Sequence, residues 1–164
     1  MPSKSVPRIR SATAGGATVL NVHWRDGSKD RIDLAGWIAT GSAVLAPLKD
    51  HSVFARPRVV EYGTAVAWGD DDDLMIDAAH LELIAIEQQP FGARDAAKWQ
   101  RDMALSNSEA ADLLGISAST WAAYKAGARI PETIGMLCRA VRRDPILLYA
   151  HYRPRRRGRP RKSA

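Results

Sequence analysis

The chain has 164 residues, enough for one ordinary domain or two small ones, and its net charge of +6 is spread very unevenly. The single cysteine, Cys138, excludes an internal disulfide and a cysteine-rich zinc site; its neighbours Met136, Leu137, Ala140 and Val141 make it a small core residue. No apolar run approaches transmembrane length and no signal-like segment opens the chain, so no membrane partner is expected and the cytoplasm is the expected compartment.

Residues 1–17 carry Lys4, Arg8 and Arg10 without an acid, among Pro2, Pro7, Gly15 and Gly16, and are expected to form a flexible basic arm. Residues 18–90 reverse the sign, with six Lys/Arg against twelve Asp/Glu. Here Thr18 to Trp24 is rich in β-branched and aromatic residues and predicts a strand. Asp26-Gly27 supplies a turn, and Arg31 to Leu34 returns. A second hairpin is predicted from Pro57-Arg58-Val59-Val60-Glu61, a turn near Tyr62-Gly63, and Thr64 to Trp68. Between the hairpins, Ala35 to Phe54 is ambiguous, with a short helical turn available over Asp50 to Phe54. After the acidic run Asp70 to Asp73, Asp77 is placed to cap a helix from Ala78 to about Glu87.

Asp26-Gly27, Ile32-Asp33-Leu34, Pro47-Leu48-Lys49-Asp50, Phe54, and Gly63 to Trp68 followed by Leu74 together resemble a small bacterial α+β domain family of unassigned function. The resemblance covers about seventy residues and its motifs are structural. It implies a fold and a context, since members are at times fused to a helix-turn-helix or encoded beside toxin–antitoxin-like genes.

A second module, residues 91–152, follows Gln88-Gln89-Pro90. Ala93 to Leu105 reads as a helix with Trp99 and Met103 on one face. Ser106 and Glu109 have capping-box spacing, so a helix starts there and Gly115 is placed to end it in a left-handed turn. A short helix from Ser117 to Ala126 ends at Gly127. Pro131 suits the first turn of another, with Ile134, Leu137 and Val141 on one face, and Asp144-Pro145 opens a last helix reaching Tyr149 or Tyr152.

Ala111, Gly115, Ile116, Trp121, Tyr124 and the link Ala126-Gly127-Ala128-Arg129-Ile130-Pro131 resemble the helix-turn-helix of the phage-repressor (Xre-like) family over about fifty-five residues. The resemblance implies that Ser117, Ala118, Ser119 and Thr120 begin a recognition helix that meets base edges in the major groove, with Ala122, Ala123 and Lys125 further along. The helix offers no Arg, Asn or Gln, the residues best suited to guanine and adenine, so modest direct discrimination is expected. Lys125 and Arg129 suit phosphate contacts. A helical bundle without a DNA role remains the structural alternative.

The tail, residues 153–164, holds seven Lys/Arg and no acid and is expected to be solvated and drawn to polyanions. Within it Arg157-Gly158-Arg159-Pro160 resembles the AT-hook core, which implies an ordered path in the minor groove of A·T-rich DNA. Gly158 lets the backbone approach the groove floor, Pro160 favours an extended path, and flanking guanidinium groups suit a narrow, negative groove. Arg155, Arg156, Arg157, Gly158, Arg159, Pro160, Arg161 and Lys162 are therefore candidate DNA-binding residues; the alternative is a sequence-blind phosphate binder. Seven seated cations would steepen the salt slope by up to about six units.

Other chemistry is not signalled. His23, His51, His80 and His151 are scattered, Asp70 to Asp73 lacks the remainder of a calcium loop, and there is no P-loop, Gly-x-Ser-x-Gly or cysteine–histidine setting. No enzyme, metal or cofactor is expected. The expectation is an α+β chain: an antiparallel β-hairpin domain with a helix at 18–90, an all-α helix-turn-helix domain at 91–152, and disordered basic termini. Its expected role is a homodimeric, nucleoid-associated bacterial transcriptional regulator on double-stranded DNA, with a protein partner or small effector at the first domain. An architectural A·T-rich DNA-binding protein and an antitoxin-like interaction module are the rival readings.

Overall fold

Leu20, Val22 and Trp24 alternate along one strand, and all three are buried, as a period of two requires of a strand with one face on a core. The computed structural model describes residues 6–70 and 73–155. The chain divides into two compact units, Met1–Gln89 and Pro90–Ala164. The architecture is α+β, as the sequence predicts.

In the first unit, β1 (Ile9–Ala14), β2 (Val19–Trp24) and β3 (Lys29–Asp33) form an antiparallel sheet in that order. The strand β1 corrects the expectation of a flexible arm over the described part of 1–17; residues 1–5 lie outside the described residues. It pairs Ala12 with Val22 and Ala14 with Leu20, with a register irregularity between Ile9 and Ser11. Ile9 is buried at 1% exposure. The segment reads as an arm because its outward residues, Arg10, Ser11 and Thr13, are polar or basic; such residues also suit a bordering strand. Gly63 adopts φ +90°, and a Cβ there would lie 2.4 Å from the Ile9 carbonyl oxygen, so β1 packs where only glycine fits.

The ambiguous stretch after β3 forms α1 (Ala35–Thr40), a 3-10 segment (Ala43–Lys49) and α2 (His51–Phe54), the last capped by the Asp50 carboxylate on Ser52 N–H at 2.8 Å. A second antiparallel sheet orders β4 (Pro57–Val60), β5 (Ala65–Trp68) and β6 (Met75–Asp77). β6 is absent from the sequence expectation because three residues are too few to show alternation. Its last residue, Asp77, caps α3 (Ala78–Gln88) through His80 N–H at 2.8 Å. At the far end of α3 the Gln88 amide exchanges two hydrogen bonds with the Asp33 backbone, at 2.9 and 2.7 Å, tying the helix to β3. Phe54 stacks on Trp68 at 5.6 Å, and the Trp68 indole N–H donates to the Phe54 carbonyl at 3.0 Å inside the common core.

The second unit is all helical: α4 (Ala93–Asp102), α5 (Asn107–Leu114), α6 (Ala118–Lys125), α7 (Glu132–Arg143) and α8 (Pro145–His151). Its core gathers Ala96, Trp99, Ala110, Trp121, Cys138 and Val141. α4 stops at Asp102 rather than Leu105, where Ala104 takes φ +55° and the Gln100 amide holds the Leu105 carbonyl at 3.0 Å. Pro131 is the N-cap of α7 rather than a residue of its first turn, whereas Pro145 does open α8 behind the Asp144 cap.

Candidate nucleic-acid interface

Two short helices, α5 and α6, meet through a three-residue turn, and each feature of that turn has a local cause. Ser106 and Glu109 complete the capping box, with Glu109 N–H on Ser106 Oγ at 3.2 Å and Ser106 N–H on Glu109 Oε2 at 2.9 Å. Gly115 takes φ +69°, the left-handed value that closes α5, and Ile116 N–H reaches back to the Ala111 carbonyl at 3.0 Å. Ser117 then caps α6 through Thr120 N–H at 3.0 Å.

The orientation of α6 is fixed from its buried side. Trp121 is fully buried, meets Trp99 edge to face at 5.7 Å, and donates its indole N–H to Gln100 Oε1 at 2.8 Å. Gln100 also holds Leu105, so one amide braces α6 against α4 and the start of the α5 connection. A misplaced α6 would leave both a buried indole N–H and an amide oxygen unpaired.

The opposite side of α6 presents Ala118, Ser119, Ala122 and Ala123, all exposed, with Ser117 exposed before them and Thr120 half-buried. The three hydroxyls are engaged with one another: Ser117 Oγ lies 2.9 Å from Ser119 Oγ and 2.8 Å from Thr120 Oγ1. Lys125 is half-buried and donates to the Asn107 side-chain oxygen at the start of α5. Its ammonium group thus sits where α6 ends beside the first turn of α5. Arg129 is exposed in the link to α7. No acidic residue occurs between Asp112 and Glu132, so Lys125 and Arg129 carry the charge of this stretch unopposed within it. Elsewhere in the unit Asp102 pairs with both Lys98, at 2.8 Å, and Arg142.

Of the tail candidates, Arg155 alone falls among the described residues; Arg156, Arg157, Gly158, Arg159, Pro160, Arg161 and Lys162 lie outside them. Arg155 does not stand in solvent away from the fold. Its guanidinium makes two hydrogen bonds to Asp112, Nε to Oδ2 at 2.7 Å and a terminal nitrogen to Oδ1 at 2.8 Å. Its backbone N–H donates to Glu109 Oε1 at 3.1 Å, and the Tyr152 hydroxyl donates to the same oxygen at 2.9 Å. The bonds from Ser106, then from Tyr152 and the Arg155 backbone, hold the Glu109 carboxyl down to about 2. Arg155 and its ion pair likewise lower Asp112. The sequence marks Glu109 as a cap but does not mark Asn107, Asp112 and Tyr152 as partners. The available signal was the i, i+3 spacing of Glu109 and Asp112, which places two carboxylates on one face of α5.

In the first unit a half-open cleft of about 640 Å³ is bounded by Arg8, Trp24, Arg25, Asp26, Glu82 and Ile86, mixing both charge signs with an apolar wall. Among the described residues no cluster of three or more His, Cys, Asp or Glu is placed to hold a metal, and no helix is long and apolar enough to cross a membrane.

No protein-family model matches the chain, and no curated protein matches it. Among solved structures, the chain is similar to a protein of Nitrosomonas europaea that is provisionally named a DNA-binding protein. The two share 26% identity over 87% of this chain and 90% of that one, with a TM-score of 0.47.

Proposed function

We propose that the chain is a DNA-binding transcriptional regulator in which α5 and α6 act as a helix-turn-helix of the Xre-like kind, α6 lies in the major groove, and the basic tail follows the adjacent minor groove. The observation that carries this reading is the build of α6. It is capped, pinned by Trp121 and Gln100, and turned so that a small face of Ala118, Ser119, Ala122 and Ala123 is exposed within a stretch free of acids. Small residues let a helix approach the groove floor, where alanine contacts thymine methyls and serine adapts to several bases. Lys125 and Arg129 flank that face at phosphate-contacting positions. Chains of this build bind as dimers on half-sites about one turn apart, and the first unit is the proposed source of dimerisation, partner docking or effector sensing.

The same α6 also favours a second reading, an architectural protein without an operator, since its exposed face offers no Arg, Asn or Gln. Two variants separate the readings. Ala122→Glu places a carboxylate on the proposed groove face, and truncation after Arg155 removes five cations. For a regulator, titration of a duplex selected by the full chain shows at least a tenfold loss with Ala122→Glu. Truncation lowers the salt slope by up to about 4.5 units. Unchanged affinity in the Ala122→Glu variant, with binding abolished by truncation, contradicts the helix-turn-helix role and leaves the architectural one.

A further inference from the structure

Tyr152 immediately precedes the tail and Arg155 is its third residue, yet both attach to α5, 43 to 46 residues earlier in the chain. Four hydrogen bonds join them to two carboxylates one turn apart. Glu109 takes the Tyr152 hydroxyl and the Arg155 N–H, and Asp112 takes the Arg155 guanidinium through two nitrogens. Paired guanidinium–carboxylate bonds fix orientation as well as distance. Tyr152 also packs against the helical core, so the anchor has an apolar root beneath its polar contacts. Arg153 donates to the Ala150 and Tyr152 carbonyls at 2.9 and 2.7 Å, which holds the chain between the two anchors.

We infer that Glu109 and Asp112 form a clasp that sets where the basic tail leaves the protein, so that the tail is delivered to one segment of minor groove beside α6. The inference rests on the DNA-binding reading above. α5 is the helix joined to α6 by the Gly115 turn, so a tail rooted on α5 starts at a fixed offset from the helix proposed to set register. The remaining cations, Arg156, Arg157, Arg159, Arg161 and Lys162, begin immediately after the clasp. Seven residues lie between Arg155 and Ser163, so the reach from one to the other is at most about 29 Å when extended. A tail released from the clasp would start further back and in no fixed direction. The clasp also withdraws Arg155 from phosphate binding, which turns one of the candidate DNA contacts into a positioning residue.

The test places a DNA-cleaving iron chelate on a single cysteine, Ser163→Cys, in the full-length chain. Cys138 does not compete for the label, because it is fully buried and burial pushes its thiol up to about 12. The probe is an end-labelled duplex selected by the full chain from a random pool, read for footprint and cleavage together. With the clasp intact, cleavage falls in a window of about one helical turn at a fixed offset from the footprint. Asp112→Asn combined with Tyr152→Phe spreads cleavage over two turns or more while leaving the footprint in place, and steepens the salt slope by at most about 0.9, because Arg155 is released and no tail cation is lost. Asp112→Glu, which can still pair with Arg155, restores the narrow window. Diffuse cleavage by the intact protein, or the same window in the Asp112→Asn/Tyr152→Phe variant, overturns the clasp and leaves DNA binding standing. A full chain that gives no footprint at all overturns the DNA-binding reading, and the role of the clasp with it.

Discussion

Glu109 serves two structures with one carboxylate: Oε2 closes the cap of α5 and Oε1 receives Tyr152 and Arg155. Every one of these bonds favours the charged form, which is why the group sits at about 2 when a free glutamate titrates near 4.5. A depressed folded value means that the stabilisation is complete above the unfolded value and is lost as the pH falls through the folded one. Glu109→Gln should therefore lower the melting temperature near neutral pH. The gap between variant and parent should shrink as the pH drops from about 4.5 towards 2. A gap that stays constant across that window, followed by thermal melting, would show that the carboxylate charge is not what holds these contacts. The cap was legible in the sequence, because Ser106 and Glu109 have the spacing a capping box needs. The link to Arg155 was not, since a run of like charge gives no sign of a partner 46 residues away.

At the scale of elements, capping residues and apolar spacing agree from α4 to α8, and the sequence expectation follows the observed order there. The first unit is harder to read because its missing strands are short or polar on their outer side, as in β6 and β1. Pairing partners supply what their own residues do not: β1 is recognisable as a strand once Ala12 and Ala14 face Val22 and Leu20. The turn between α5 and α6 offers a clean test of local cause. Gly115 is left-handed, and a Cβ there meets nothing within 4 Å, so substitution by alanine carries backbone strain without a clash. Gly115→Ala should cost about 1 kcal/mol in denaturant unfolding and preserve the helical content of the unit. No loss, or complete unfolding, would mean that the turn is held by something other than the glycine's backbone freedom.

The whole molecule joins an acidic α+β unit to a helical unit carrying a basic tail. Residues 18–90 hold twice as many acids as bases, whereas the tail holds none. That asymmetry, visible from composition alone, suits a division between docking or sensing in the first unit and a polyanion at the second. Composition could not reveal how the tail is attached. Arg155, near its root, is held on α5 by Asp112. The most direct test of DNA recognition is retention of fragmented genomic DNA by the purified full-length protein at about physiological salt, where distant charge attraction is screened. The account predicts a few sharp peaks that share an inverted repeat with half-sites about one helical turn apart. Broad enrichment of A·T-rich DNA without a motif, or no retention at all, would contradict it.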